Sequence, residues 1–116
     1  MPQETSPKVL TTDKIVVLAT CSTQDEAHRI ARRLLDLRLA ACVQISTPVR
    51  SLYRWQGDIE ESAEVQLFIK SALPLFGRLR DEIAGLHSYT TPEILALTVA
   101  EGDSAYLAWM DRELLP

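Results

Sequence analysis

Glycine is scarce in this chain: only four occur in 116 residues, and no two lie close together. A Gly-rich loop that cradles phosphate through backbone N–H groups is therefore missing from the sequence. Cysteine is scarcer still, with Cys21 and Cys42 standing apart and no C-x-x-C, which argues against a small secreted disulfide scaffold. The histidines, His28 and His87, do not fall at i,i+4. Basic residues form no stripe and the formal charge is −4, so neither a nucleic acid nor an anionic membrane is expected as partner. No apolar run approaches the ~18 residues of a membrane span. Residues 1–13 (MPQETSPKVLTTD) are polar, contain proline and lack the apolar stretch of a signal peptide. They are expected to form a flexible tail ahead of a single domain over 14–116, in a cytoplasmic protein. Nothing singles out a catalytic set, and an enzyme is not expected.

What is present is apolar patterning, with 47% hydrophobic residues, enough for one core without staples. The most informative stretch is Ala40 to Lys70. Val43, Ile45, Val49, Tyr53 and Trp55 share one parity, and beyond Gln56-Gly57-Asp58 the residues Ile59, Ala63, Val65, Leu67 and Ile69 keep it. This is the pattern of a β-hairpin with one buried face. Pairing odd positions with odd ones requires a three-residue loop, or a shorter loop plus a bulge. Each arm spans about a dozen residues, twice the usual strand of about five or six. At roughly 3.3 Å per residue it reaches about 40 Å, so its outer half is expected to leave the domain. Leu52, Tyr53, Trp55 and Ile59 lie on that outer half, which marks it as a surface for assembly.

The remaining elements flank the hairpin. Lys14 to Thr20 is a β-branched run that reads as a buried strand. Thr23-Gln24-Asp25-Glu26 has capping-box spacing, and Ala27, Ile30, Ala31, Leu34 and Leu35 then make a helical stripe with Asp25 and Arg29 paired outside. A second helix is predicted to start at Ser71–Pro74, with Leu75, Phe76, Leu79, Ile83 and Leu86 inward. The loop 87–92 leads to an apolar strand over 93–99. Gly102-Asp103-Ser104 signals an N-cap for a last helix carrying Tyr106, Leu107, Trp109 and Met110. The order β-α-β-β-α-β plus a helix gives an α+β, ferredoxin-like sandwich with a long hairpin, its second sheet face awaiting the last helix or a partner.

The blocks LAACVQI (39–45), SLYRWQGDIEESAEVQLFIK (51–70), HSYTTPEI (87–94) and GDSAYLAWM (102–110) strongly resemble the CutA family of divalent-cation tolerance proteins. The resemblance implies a ferredoxin-like homotrimer whose hairpins bind neighbouring subunits, and a part in divalent metal tolerance and the response to metal ions, with copper the metal bound. Copper-binding members carry a Cys near the end of the first strand and two consecutive His before the tyrosine of the third block. Here Ala19 and Leu86 occupy two of those positions and only His87 carries over. Cys21, two residues beyond Ala19, is the candidate second ligand. Weak copper binding at His87 and Cys21 is expected, falling with pH because the imidazole must be unprotonated.

Plainer readings compete with each of these. A histidine after a helix more often makes a hydrogen bond than a metal bond, and Cys42 reads as core. Tyr53, Trp55 and Ile59 are expected in the trimer interface rather than around a ligand. Glu60 and Glu64 share one face of a strand and Glu61 the other, which suits a solvated edge better than a cation site. Lys70, Tyr89 and Glu93 end elements where an inter-subunit cleft would form. The alternative function is a trimeric small-molecule sensor similar to the PII signalling proteins. A small hydrolase resembling acylphosphatase would need an Arg in a glycine-containing cradle after the first strand, where Ala19-Thr20-Cys21-Ser22 stands.

Overall fold

Alternation sets the first strand, β1 (Lys14–Cys21): Ile15, Val17, Ala19 and Cys21 face one side and are fully buried there. The computed structural model describes residues 12–116. Most of the expected tail thus lies outside the described residues, while Thr12 hydrogen-bonds Val99 O through its hydroxyl. The other strands are β2 (Cys42–Ile45), β3 (Val49–Trp55), β4 (Asp58–Ala72) and β5 (Ile94–Thr98). They lie in the order β2-β4-β1-β5, antiparallel throughout, with β3 extending the hairpin along the outer part of β4. This is the ferredoxin-like order.

Helices α1 (Gln24–Asp36) and α2 (Phe76–Leu86) cover one sheet face. Ala27, Ile30 and Leu34 from α1 and Leu79 and Ile83 from α2 meet the odd-numbered side chains of β1 and β4 in one core. Thr23 Oγ1 accepts from Glu26 N at 3.1 Å, as the capping box predicts. The expected Asp25–Arg29 pair does not form among the described residues; Arg32 and Asp36 make the i,i+4 contact, at 3.6 Å. The second helix starts later than predicted. β4 runs on to Ala72, paired with Lys14, and Leu73–Leu75 form a 3₁₀ turn that accommodates Pro74 before α2 begins.

α3 (Ser104–Glu113), capped by Asp103, crosses one end of the opposite sheet face. Buried Lys14 reaches Asp111 at 2.7 Å. Arg38, at φ 59°, donates from Nε to Glu113 O at 2.9 Å and so holds the end of α3 against the end of α1. The rest of that face stays open, with Leu95 and Leu97 exposed. Cys42, expected in the core, is half-buried on this face opposite Lys70, because its even position turns it away from the helices.

The hairpin is as long as expected but differently wound. Gln56 and Gly57, at φ 49° and 89°, form a two-residue turn between paired Trp55 and Asp58, the geometry whose twist suits a hairpin. The compensating bulge sits lower. Ser46, Thr47 and Pro48 stand against only Val65 and Gln66 between the Ile45–Leu67 and Val49–Glu64 pairs. Ser46 satisfies the gap, donating its N–H to Gln66 O and accepting Gln66 N at Oγ, both at 2.9 Å. Inside the bulge odd residues pair with odd; outside it odd pairs with even. The expectation of one apolar face along the whole hairpin is therefore corrected: Tyr53 and Trp55 lie on one side of the arm and Ile59 on the other. The arm stretches the molecule to 61 Å and its radius of gyration to 16.8 Å, against about 13 Å for a compact domain of this size.

Candidate functional site

Three elements meet at the end of β1. Cys21 is its last residue and points to the helices, Glu26 lies in the first turn of α1, and His87 follows α2 with its N–H on Ile83 O at 2.9 Å. A thiol, a carboxylate oxygen and a ring nitrogen from these three lie within 4.8 Å of one another. The structure thus brings together His87 and Cys21, which the sequence singled out, and adds Glu26. The capping-box spacing had assigned Glu26 to its own helix, and no local pattern showed it turning to the loop after α2.

Both carboxylate oxygens of Glu26 and both ring nitrogens of His87 are engaged. His87 Nε2 lies 2.6 Å from Thr20 O, which can only accept, and Nδ1 lies 3.0 Å from Tyr89 N, which can only donate. The proton therefore sits on Nε2 and both nitrogens are used. Glu26 accepts at Oε2 from Ser88 N at 2.7 Å and at Oε1 from Ser22 N at 3.4 Å. Burial pushes its carboxyl upward, but the hydrogen bonds from Ser88 and Ser22 outweigh that and hold it below the ordinary carboxylate range. Burial, with the nearby Glu26 and Glu64 charges, pushes the Cys21 thiol up to about 12. The residue types suit a soft metal. Their state does not: a metal must displace a proton from Cys21 and a backbone partner from His87.

A groove of about 1190 Å³ opens beside this triangle, between the outer arm and the loop after α2. Tyr89 and Glu93 line it, as do Tyr53 and Trp55; Lys70 lies elsewhere, with Nζ 5.9 Å from the ring centroid of Tyr106. The Tyr89 hydroxyl donates to Glu64 Oε2 at 3.0 Å. Burial and that neighbouring carboxylate raise the phenol to about 12. Glu64, expected at a solvated edge, is only 8% exposed, because the loop carrying Tyr89 folds over it. Tyr53, Trp55 and Ile59 are 43%, 56% and 68% exposed.

Comparison with known proteins bears on the family and the fold. The family described as CutA1 divalent ion tolerance protein matches residues 15–113. A relative from Thermus thermophilus named "Divalent-cation tolerance protein CutA" is 44% identical over 95 residues, covering 82% of this chain and 92% of the relative. The structure of CutA1 from the psychrotrophic bacterium Shewanella sp. SIB1 superposes with a TM-score of 0.88 at 32% identity, over 91% of this chain and 99% of that one. That of the "periplasmic divalent cation tolerance protein CutA" from Archaeoglobus fulgidus gives 0.84 at 39% identity, over 86% and 97%.

Proposed function

Because the chain belongs to the CutA1 divalent ion tolerance protein family, we propose that it serves in tolerance of divalent metal ions as a homotrimer assembled through its hairpin arms. The observation that carries the assembly is the arm itself: β3 and the outer part of β4 project from the domain with Tyr53, Trp55 and Ile59 exposed. Two-stranded arms in water are marginal alone, and a neighbour that covers them hides both apolar area and unpaired edge groups. Exposed Leu95 and Leu97 on the open sheet face offer a second area for the same contact. The role is binding and assembly rather than turnover.

Copper is the metal this reading assigns to Cys21 and His87, and the binding is weak because His87 is engaged within the chain and burial holds the Cys21 thiol protonated. A nucleotide-sensing role of the PII kind is disfavoured by a groove whose lining sets Glu60, Glu64 and Glu93 against one base, Arg50, itself paired with Glu61, a balance that repels phosphate. Cytoplasmic location accords with two free thiols; among the described residues no helix is long and apolar enough to cross a membrane. Cell fractionation decides between this and the periplasm.

Light scattering at low micromolar concentration tests the assembly. Three copies of the 13.0 kDa chain are expected, and a monomer would overturn the trimer. Trp55→Ala is expected to weaken assembly while circular dichroism keeps the wild-type signal; a lost fold would place Trp55 in the subunit core instead.

A further inference from the structure

The loop after α2 joins the Cys21–Glu26–His87 triangle to the hairpin arm through consecutive contacts. Ser88 donates its N–H to Glu26, and Tyr89 donates its N–H to His87 Nδ1 at 3.0 Å. The Tyr89 ring lies against the His87 ring, their centroids 4.8 Å apart. Its hydroxyl ends on Glu64, which pairs with Val49 where the arm leaves the bulge. Among the described residues this is the one side-chain hydrogen bond between 49–64 and the domain; Ser62 with Tyr53 and Arg50 with Glu61 stay within the arm. Tyr89 thus meets His87 with its backbone and ring, and the arm with its hydroxyl.

Coordination through either nitrogen of His87 deprives Tyr89 N of its acceptor. With Nδ1 coordinated, the lone pair that the amide uses is gone. With Nε2 coordinated, that atom has lost the proton it shares with Thr20 O, and the neutral ring carries its N–H on Nδ1 instead, against the Tyr89 N–H. Two donors cannot make that bond. The amide turns away from the ring in both cases, and the phenol moves with the residue that carries it.

We propose that metal occupancy at His87 and the position of the arm are linked through Tyr89: coordination releases Tyr89 from Glu64 and frees the arm, and an arm held on Tyr89 lowers the affinity for metal. The two effects are one coupling free energy and are equal in size. The link rests on the copper reading of this site. It makes the contact that metal must displace the route from that site to the surface through which the chains assemble.

The probe is Cu(I) under reducing conditions, titrated by calorimetry. Hydrogen exchange of residues 49–64 is read by mass spectrometry with and without saturating metal, and light scattering is run on the same samples. In the wild type, Cu(I) is expected to speed exchange of the arm about fivefold or more. Tyr89→Phe is expected to exchange at the raised rate without metal, to show no further change with it, and to bind Cu(I) about fivefold or more tightly. Glu64→Gln, a weaker acceptor at the same place, carries the test if Tyr89→Phe does not fold, with a metal effect below that of the wild type. Copper that binds through His87 and leaves the arm unchanged overturns the link alone, and so does an undiminished effect in the variants. No binding, or binding that His87→Ala leaves intact, overturns the copper reading and the link with it. A monomer overturns only the trimer, because exchange of the arm reports the link in either state.

Discussion

The Tyr89 hydroxyl and the Glu64 carboxylate meet at 3.0 Å across the wall of the groove, tying the loop after α2 to the root of the hairpin arm. Glu64 stands opposite Val49, where β3 begins, so the contact braces the arm just outside the bulge. Tyr89→Phe keeps the ring and removes the donor, leaving a nearly buried carboxylate with less compensation. A loss of about 1–3 kcal/mol is expected. A double-mutant cycle with Glu64→Gln, read by urea unfolding, is expected to show coupling of roughly 1 kcal/mol or more. Additive losses would mean that the two side chains do not act on each other.

Glu26 makes the fold sensitive to acid. Its folded carboxyl is held below the ordinary value by Ser88 and Ser22 despite burial, while the unfolded chain returns it to about 4.3. A carboxyl depressed on folding contributes stability above its unfolded pKa and loses it as pH falls through the folded one. Unfolding free energy is therefore expected to decline below about pH 4, and Glu26→Gln should flatten that decline while lowering stability at neutral pH. An unchanged acid limb in the variant would assign the sensitivity to other carboxylates.

Periodicity made the strands, the helical stripes and the long hairpin legible, since each depends on residues close in sequence. The bulge at Ser46–Pro48 was not, although a bulge was one of two ways to keep the register. Its position is set by which β4 residues reach the core, with Val65, Leu67 and Ile69 facing the helices. Tyr53 and Trp55 consequently lie on the opposite side of the arm from Ile59, where parity alone puts all three together. His87 and Cys21 stood out by residue type, but Glu26 joined them through a contact of 62 residues' separation with Ser88. The burial of Glu64 came likewise from Tyr89, 25 residues away. Side-chain chemistry nominates candidates; the partners that engage them come from tertiary packing.

The turn at the arm's tip is strained at one residue. Gln56 adopts φ 49°, a left-handed conformation costing about 1–2 kcal/mol for most residues and less for asparagine. Gln56→Asn is expected to raise stability by about 0.5 kcal/mol, matching the Asn-Gly preference of such turns. Gly57→Ala should do the reverse: nothing lies within 4 Å of an added Cβ, so the loss would come from φ 89° alone. Thermal unfolding of the two variants, moving in opposite directions, checks the turn.

Copper binding is expected to be weak, and its weakness is itself informative. The thiol of Cys21, raised from 9.0 to about 12, has about a thousandfold less thiolate at neutral pH than an ordinary cysteine. His87 must give up Thr20 O or Tyr89 N before either nitrogen can coordinate, which leaves a buried backbone group unpaired at about 1–3 kcal/mol. Metal also competes with protons for both ligands, so affinity rises with pH. Calorimetry with Cu(I) under reducing conditions, and with Cu(II), is expected to give binding no tighter than micromolar, strengthening from pH 6 to pH 8 in the direction this competition sets. His87→Ala and Cys21→Ala should each weaken it further. Nanomolar binding untouched by either substitution would place the metal elsewhere on the chain, or between copies of it.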